Sequence, residues 1–192
     1  CGTGEVTIEL AKLSNAKIVG VDTDKKVLDH FNKKIKAQKL SHTITLMHRS
    51  VDQLNFPSNH FDLIWSEGAI RFIGFKNGLQ EWGKFLKPEG YLVVHDGANE
   101  SDQQLKEISQ EGYRLIHYFF LEPEVWWNLY YRPLQKDINE GKTMFGNEFS
   151  RNDEVRKIMN EINDFRRDPD QFRSVFFIMQ KKFGFKNDIK LS

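Results

Sequence analysis

The sequence predicts an α/β protein: a doubly wound, mostly parallel sheet with helices on both faces. Three observations predict it. Short apolar runs, KIVGVD at 17–22, FDLIWS at 61–66 and YLVVHD at 91–96, alternate with amphipathic segments. Two glycines, Gly2 and Gly4, stand directly before the first helical pattern, as in a turn that leads from a strand into a helix. An acid, Asp22, closes the next strand-like run. Alternation of this kind is the mark of βαβ units, whose crossover helices cover a parallel sheet.

Each element follows from its own pattern. Val6, Leu10 and Leu13 share one face of a helix over 5–13. Residues 24–39 put Val27, Phe31 and Ile35 at steps of four with lysines opposite, an amphipathic helix capped by Thr23 or Asp24. TITLMH at 43–48 reads as a strand, and FDLIWS as a buried one. Leu79, Trp82 and Leu86 mark a helix that stops at the turn Lys87-Pro88-Glu89-Gly90, ahead of the strand YLVVHD. A polar helix over 102–111 and a strand over 114–120 follow. Trp127, Tyr130, Tyr131, Leu134 and Ile138 then share a helical face over 123–140, where Pro133 should kink the helix or start a second one. Val155, Ile158, Met159, Ile162 and Phe165 line another helix, SVFFIMQKK at 174–182 is a last strand, and the tail NDIKLS reads as frayed. The expected organisation is a core over 1–122, a helical cap over 123–170, and a last strand with tail over 171–192.

Composition narrows the classes. The 192 residues can bury a sizeable core, and a net charge of +1 gives no electrostatic reason to expect nucleic acid or an anionic membrane as partner. The single cysteine, Cys1, rules out an internal disulfide framework and a cysteine-based zinc site, so no metal is expected. No apolar run approaches the roughly 20 residues of a membrane span. The expected setting is the cytoplasm and the expected partner a small molecule. A homodimer is left open.

The glycine turn has chemical meaning. Without Cβ atoms, Gly2 and Gly4 let the backbone turn tightly and let a ligand lie against it, at the N-terminus of the following helix. Asp22 stands 18 positions after Gly4, at a strand end where a carboxylate can accept from two ribose hydroxyls. Together they point to an adenosine-containing ligand. A nicotinamide dinucleotide and S-adenosylmethionine both fit this much.

The middle of the chain separates them. HRSVDQLNFPSNHFDLIWSEGAI, followed by LQEWGKFLKPEGYLVVHD, resembles the class I S-adenosylmethionine-dependent methyltransferases. That family shows a polar-acidic segment, an L-P-F-like triplet, F-D-L-I on a strand, then L-K-P-G-G before the next. Here the triplet is Leu54-Asn55-Phe56, and Glu89 replaces the first glycine of the pair. CGTG and VGVDTD fit the first two motifs of the same family, and the resemblance covers roughly residues 1–96. It implies a Rossmann-like methyltransferase fold. It also implies that S-adenosylmethionine is the cofactor, S-adenosylhomocysteine the product, and a small molecule the methyl acceptor. Gly2 and Gly4 would line the methionine part, Asp22 with Thr23 beside it would hold the ribose, and Ser50, Val51 and Asp52 would contact the adenine. Glu67 would stand where the cofactor and the substrate meet. In the family the glycine turn follows a strand in the middle of the sheet. That strand is expected to be missing here, making this chain a fragment or one numbered from a later residue.

Methyl transfer from a sulfonium is a direct displacement, so a base is needed only where the nucleophile must lose a proton. Glu67 and His95 are the candidate catalytic residues, with Asp96 beside them at a strand end. Trp127 and Tyr131 are the candidate substrate contacts, from an aromatic cap over the strand ends. SEGA stands where the amino-methylating enzymes carry an N-P-P-Y-like tetrad. Two alternatives accompany this reading. A nicotinamide-dependent oxidoreductase shares the glycine turn and Asp22, although no Tyr-x-x-x-Lys is present. A non-catalytic remnant that binds S-adenosylmethionine fits a missing strand.

Overall fold

The computed structural model describes residues 1–184, apart from the side chains of 145 and 147–151. The expectation for the tail NDIKLS lies outside the described residues. In chain order the elements are α1 (Glu5–Leu13), β1 (Ile18–Asp22), α2 (Lys25–Ala37), β2 (Ile44–His48), β3 (Phe61–Glu67), α3 (Phe75–Gly83) and β4 (Leu86–Gly97). After them come α4 (Ser101–Gln110), β5 (Tyr113–Leu121), α5 (Pro123–Trp126), a π-helical turn (Trp127–Tyr131), α6 (Arg132–Arg151), α7 (Asp153–Arg167) and β6 (Ser174–Lys181).

The strands form two sheets instead of one. β1 and β2 pair in parallel. The larger sheet has the order β3-β4-β6-β5. β3 and β4 are parallel, while β6 runs antiparallel to both β4 and β5, so β3, β4 and β5 point the same way. Among the described residues β1, β2, β3 and β5 each have one edge without a strand partner.

Each sheet has its own core. Phe31 and Ile35 of α2 pack with Ile8 and Ala11 of α1 and Ile44 of β2. Asp24 caps α2 by accepting from the amides of Lys26 at 2.8 Å and Val27 at 3.3 Å, a contact worth about 1 kcal/mol. On the large sheet, Leu92, Val94, Val175, Phe177 and Met179 pack against Leu79 and Trp82 of α3 and Ile108 of α4. Tyr131, Ile138, Ile162 and Phe165 make a third cluster from the helices between β5 and β6.

Two local expectations are corrected and a third holds. The helix carrying Leu79 and Trp82 ends at Gly83, and Leu86 opens β4, which runs straight through Lys87-Pro88-Glu89-Gly90. That stretch distorts the strand without ending it. Glu89 adopts φ 61, and a Cβ on Gly90 would lie 2.9 Å from the Lys87 carbonyl oxygen. β3 is half-exposed where it was expected to be buried: Leu63 and Trp65 retain 42% and 39% of their surface. Pro133 stands at the start of a second helix, one of the two outcomes its position leads one to expect. The helix widens into the π turn just before it, and Pro133 falls in the first turn of α6, where a missing N–H is tolerated.

Candidate functional site

The glycine turn and the end of β1 are joined by one carboxylate. Asp22 Oδ2 accepts from the Gly2 amide at 2.8 Å and from the Cys1 nitrogen at 3.0 Å. Its Oδ1 accepts from the Asp24 amide at 3.0 Å. Burial pushes this carboxyl up, but the bonds from Asp24, Gly2 and Cys1 outweigh it and hold it below the ordinary 3.8. An ionised carboxylate has about four lone-pair sites, so one acceptor position remains beyond these three bonds. Thr23 is exposed, and its carbonyl accepts from His48 Nε2 at 2.8 Å.

The two glycines differ in what surrounds them. Gly2 (φ 54) has nothing within 4 Å of the place a Cβ would occupy, so its Cα borders open space. Gly4 (φ 88) has the Phe31 ring there, with the nearest carbon 2.0 Å from a Cβ position. Its missing side chain makes room for α2. Whatever Gly4 offers a ligand comes from its backbone.

Ser50 and Val51 are half-buried and Asp52 is exposed, in a turn closed by the Gln53 amide on the Ser50 carbonyl at 3.1 Å. Val51 packs on the large core, and its carbonyl accepts from Trp82 Nε1 at 3.4 Å. This turn links the β1–β2 unit to the large sheet.

At the carboxyl end of the large sheet, Glu67 and His95 are register partners on neighbouring parallel strands, so both side chains rise from one face. Glu67 is exposed and accepts from Trp65 Nε1 at 2.6 Å. The Gly68 amide donates to the His95 carbonyl at 3.0 Å, with Gly68 at φ 66. His95 is only 7% exposed. Its ring stacks on Phe176 (4.4 Å, 15°) and on Trp126 (5.6 Å, 24°). Its Nε2 lies 2.7 Å from Ser174 Oγ, which also accepts from Trp126 Nε1 at 3.1 Å. Burial pushes His95 below its ordinary 6.5, against the pull of Glu67 and Asp96. The imidazole is therefore neutral at physiological pH. Asp96 itself accepts from Gln104 Nε2 at 3.1 Å.

The two rings expected to touch substrate do another job. Tyr131 is 3% exposed, and its hydroxyl donates to Glu161 Oε1 at 2.8 Å. Trp127 stacks on Phe165 (5.9 Å, 16°) beneath the guanidinium of Arg166. Both hold the cap helices together. Trp126, their neighbour, is the ring that reaches the sheet, and Tyr130 packs edge-on against it while 45% exposed. Ser174 carried no signal in the sequence: a serine opening a strand has no pattern of its own. Trp126 stood in the aromatic run, but spacing could not separate it from Trp127. Among the described residues no group of three or more His, Cys, Asp or Glu gathers as a metal site would need.

Residues 1–90 match the methyltransferase domain family. The demethylmenaquinone methyltransferase of Lactobacillus johnsonii is 32% identical over 126 residues, covering 64% of this chain and 49% of that protein. The ubiquinone/menaquinone biosynthesis C-methyltransferase UbiE of Wigglesworthia glossinidia brevipalpis is 34% identical over 110 residues, covering 56% and 44%. The chain spans about half the length of the curated relatives it matches. Among solved structures, a methyltransferase from Thiobacillus denitrificans in complex with S-adenosylhomocysteine has a TM-score of 0.71 at 10% identity, covering 94% of this chain and 82% of that one. The cyclase SpnF has a TM-score of 0.77 at 16% identity, covering 96% and 74%. Residues 1–90 are similar to the methyltransferase domain family, and the chain shares its fold with a solved S-adenosylmethionine-dependent methyltransferase.

Proposed function

We propose that this chain is the core of an enzyme that methylates a small acceptor with an apolar or aromatic surface, using S-adenosylmethionine. One observation carries the cofactor assignment. Asp22, at the end of β1, is held 2.8 Å from the Gly2 amide beside a Cα that borders open space. That is a cradle a side chain would fill, next to a carboxylate with acceptor capacity to spare. Gly2, the backbone at Gly4 and the N-terminus of α1 would take the methionine part. Asp22 and Thr23 would take the ribose, and Ser50, Val51 and Asp52 the adenine. The cofactor supplies an electrophilic methyl group on a sulfonium.

The chain's own residues then bind, orient and exclude water. Glu67 and His95 are the proposed catalytic residues because they rise together at the strand ends. The Glu67 carboxylate has an oxygen not used by Trp65 and can receive an acceptor's proton. Trp126, Tyr130, Phe176 and the exposed Trp65 offer flat apolar surface around them, which favours an acceptor with a ring or hydrocarbon body. Relatives named for demethylmenaquinone and for sterols lend support to the same acceptor class. The core over 1–122, cap over 123–170 and closing strand from 171 go with this reading, as does a cytoplasmic setting. No helix among the described residues is long and apolar enough to cross a membrane.

The test is transfer of labelled methyl from S-adenosylmethionine to a panel holding a prenylated naphthoquinol, a catechol and a sterol. Transfer to one of them, suppressed by S-adenosylhomocysteine, is the expected result. Cofactor binding with no transfer to any apolar acceptor would favour the non-catalytic alternative.

A further inference from the structure

The cluster around His95 contains two polar groups the reaction scheme has not used, the Ser174 hydroxyl and the Trp126 indole N–H. They come from different elements, α5 and the start of β6. Ser174 is 5% exposed. An indole N–H can only donate, so Trp126 Nε1 occupies one lone pair of Ser174 Oγ. The serine hydroxyl hydrogen then needs an acceptor. Among the described residues its one acceptor is His95 Nε2, at 2.7 Å. Were Nε2 to carry the proton, both nitrogens would donate into the same oxygen. The hydroxyl hydrogen would then be buried without a partner, an arrangement native structures avoid.

The rest of the setting holds the ring still. Phe176 on one side and Trp126 on the other stack on it at 15° and 24°. A flip of the imidazole would break the Ser174 bond and slide the ring within that stack. The other ring nitrogen, Nδ1, makes no hydrogen bond to a described residue. It is also not one of the buried side-chain atoms left without a partner, which among the described residues are Ser66 Oγ and Gln104 Oε1. With Nε2 engaged by Ser174, Nδ1 is the ring nitrogen left to meet a ligand.

We propose that Trp126 and Ser174 are positioning residues that fix His95 as the Nδ1–H tautomer, so that His95 serves as a hydrogen-bond donor to an oxygen of the methyl acceptor and not as its base. The inference rests on the reading of these strand ends as the methyl-transfer site. It assigns the acceptor a carbonyl or hydroxyl oxygen beside the reacting atom. Any proton the acceptor releases goes to a Glu67 carboxylate oxygen, so the two residues have separate roles. The neutral state of the buried ring agrees with a donor that keeps its single proton.

The test is long-range proton–nitrogen correlation NMR of the histidine side chains in the full chain, with the His95 signals assigned through His95→Asn. The expected spectrum shows the neutral Nδ1–H tautomer in the native protein and a shift toward Nε2–H in Ser174→Ala. An Nε2–H tautomer in the native protein overturns the proposal, and needs no variant to fold. A second reading uses methyl transfer to the prenylated naphthoquinol. Asparagine places an N–H near the Nδ1 position and glutamine near Nε2. His95→Asn should retain at least tenfold more kcat than His95→Gln, with cofactor binding unchanged in both. Equal loss in the two variants would contradict the donor role. Absence of S-adenosylhomocysteine binding by the native chain would instead defeat the functional reading beneath it, so the two failures are distinguishable.

Discussion

The Gly2 amide donates to the Asp22 carboxylate at 2.8 Å, which ties the turn before α1 to the end of β1. Two segments 20 residues apart thereby form one edge of a cradle. Replacing Asp22 with alanine removes an acceptor for a ribose as well as this tie. Loss of a charged hydrogen-bond partner costs about 1.5–3 kcal/mol, so Asp22→Ala should bind S-adenosylhomocysteine about tenfold to a hundredfold more weakly. Calorimetric titration reads this directly. Unchanged affinity would remove Asp22 from the site.

The two glycines should respond differently to alanine. At Gly4 a Cβ meets the buried Phe31 ring and the backbone is left-handed, so Gly4→Ala should destabilise by about 2–4 kcal/mol. At Gly2 the backbone is also left-handed but the space is open, and Gly2→Ala should cost about 1 kcal/mol of stability. Its larger effect should be on the cofactor, whose path the new methyl group enters. Urea unfolding paired with calorimetry separates the two effects.

Tyr131 and Trp127 are cap-packing residues, so their loss should appear in stability and not in affinity. Tyr131→Phe removes the bond to Glu161, which stands at an exposed position. About 1 kcal/mol of stability should go, with S-adenosylhomocysteine binding unchanged. Weakened binding in a stable Tyr131→Phe protein would return that ring to the site.

Much of this was legible in the sequence, and the misses have physical causes. The helices around Phe31 and Ile162 followed from their apolar spacing, and the strands from their β-branched runs. Asp22 and the glycines were found because a turn, a strand end and their separation are all local facts. Leu86 was assigned to a helix because its spacing from Leu79 and Trp82 is helical. It lies in β4 instead, where pairing with Phe61 overrides the local pattern. Trp127 and Tyr131 were chosen over Trp126 because one helical face looks like another until its partner is known. The partner of Trp126 is Ser174, 48 residues away in the chain.

His95 should also leave a trace in stability. Its folded pKa lies below the ordinary 6.5, because burial disfavours the charged ring. As pH falls, the unfolded chain takes up its proton first. The stability tied to the neutral ring is therefore fully present above about 6.5 and is lost as pH falls from there through the folded value. Urea unfolding at a series of pH values should show this decline in the native protein and a shallower one in His95→Gln. Identical slopes would mean that the ring is not buried neutral.

The measurement that bears most directly on the central claim is calorimetric titration of the chain with S-adenosylhomocysteine, with NADH titrated in parallel. Saturable binding of S-adenosylhomocysteine, tighter than any binding of NADH, is the predicted result. A well-folded chain that gives no heat with S-adenosylhomocysteine, or that prefers NADH, would contradict the assignment of this cradle.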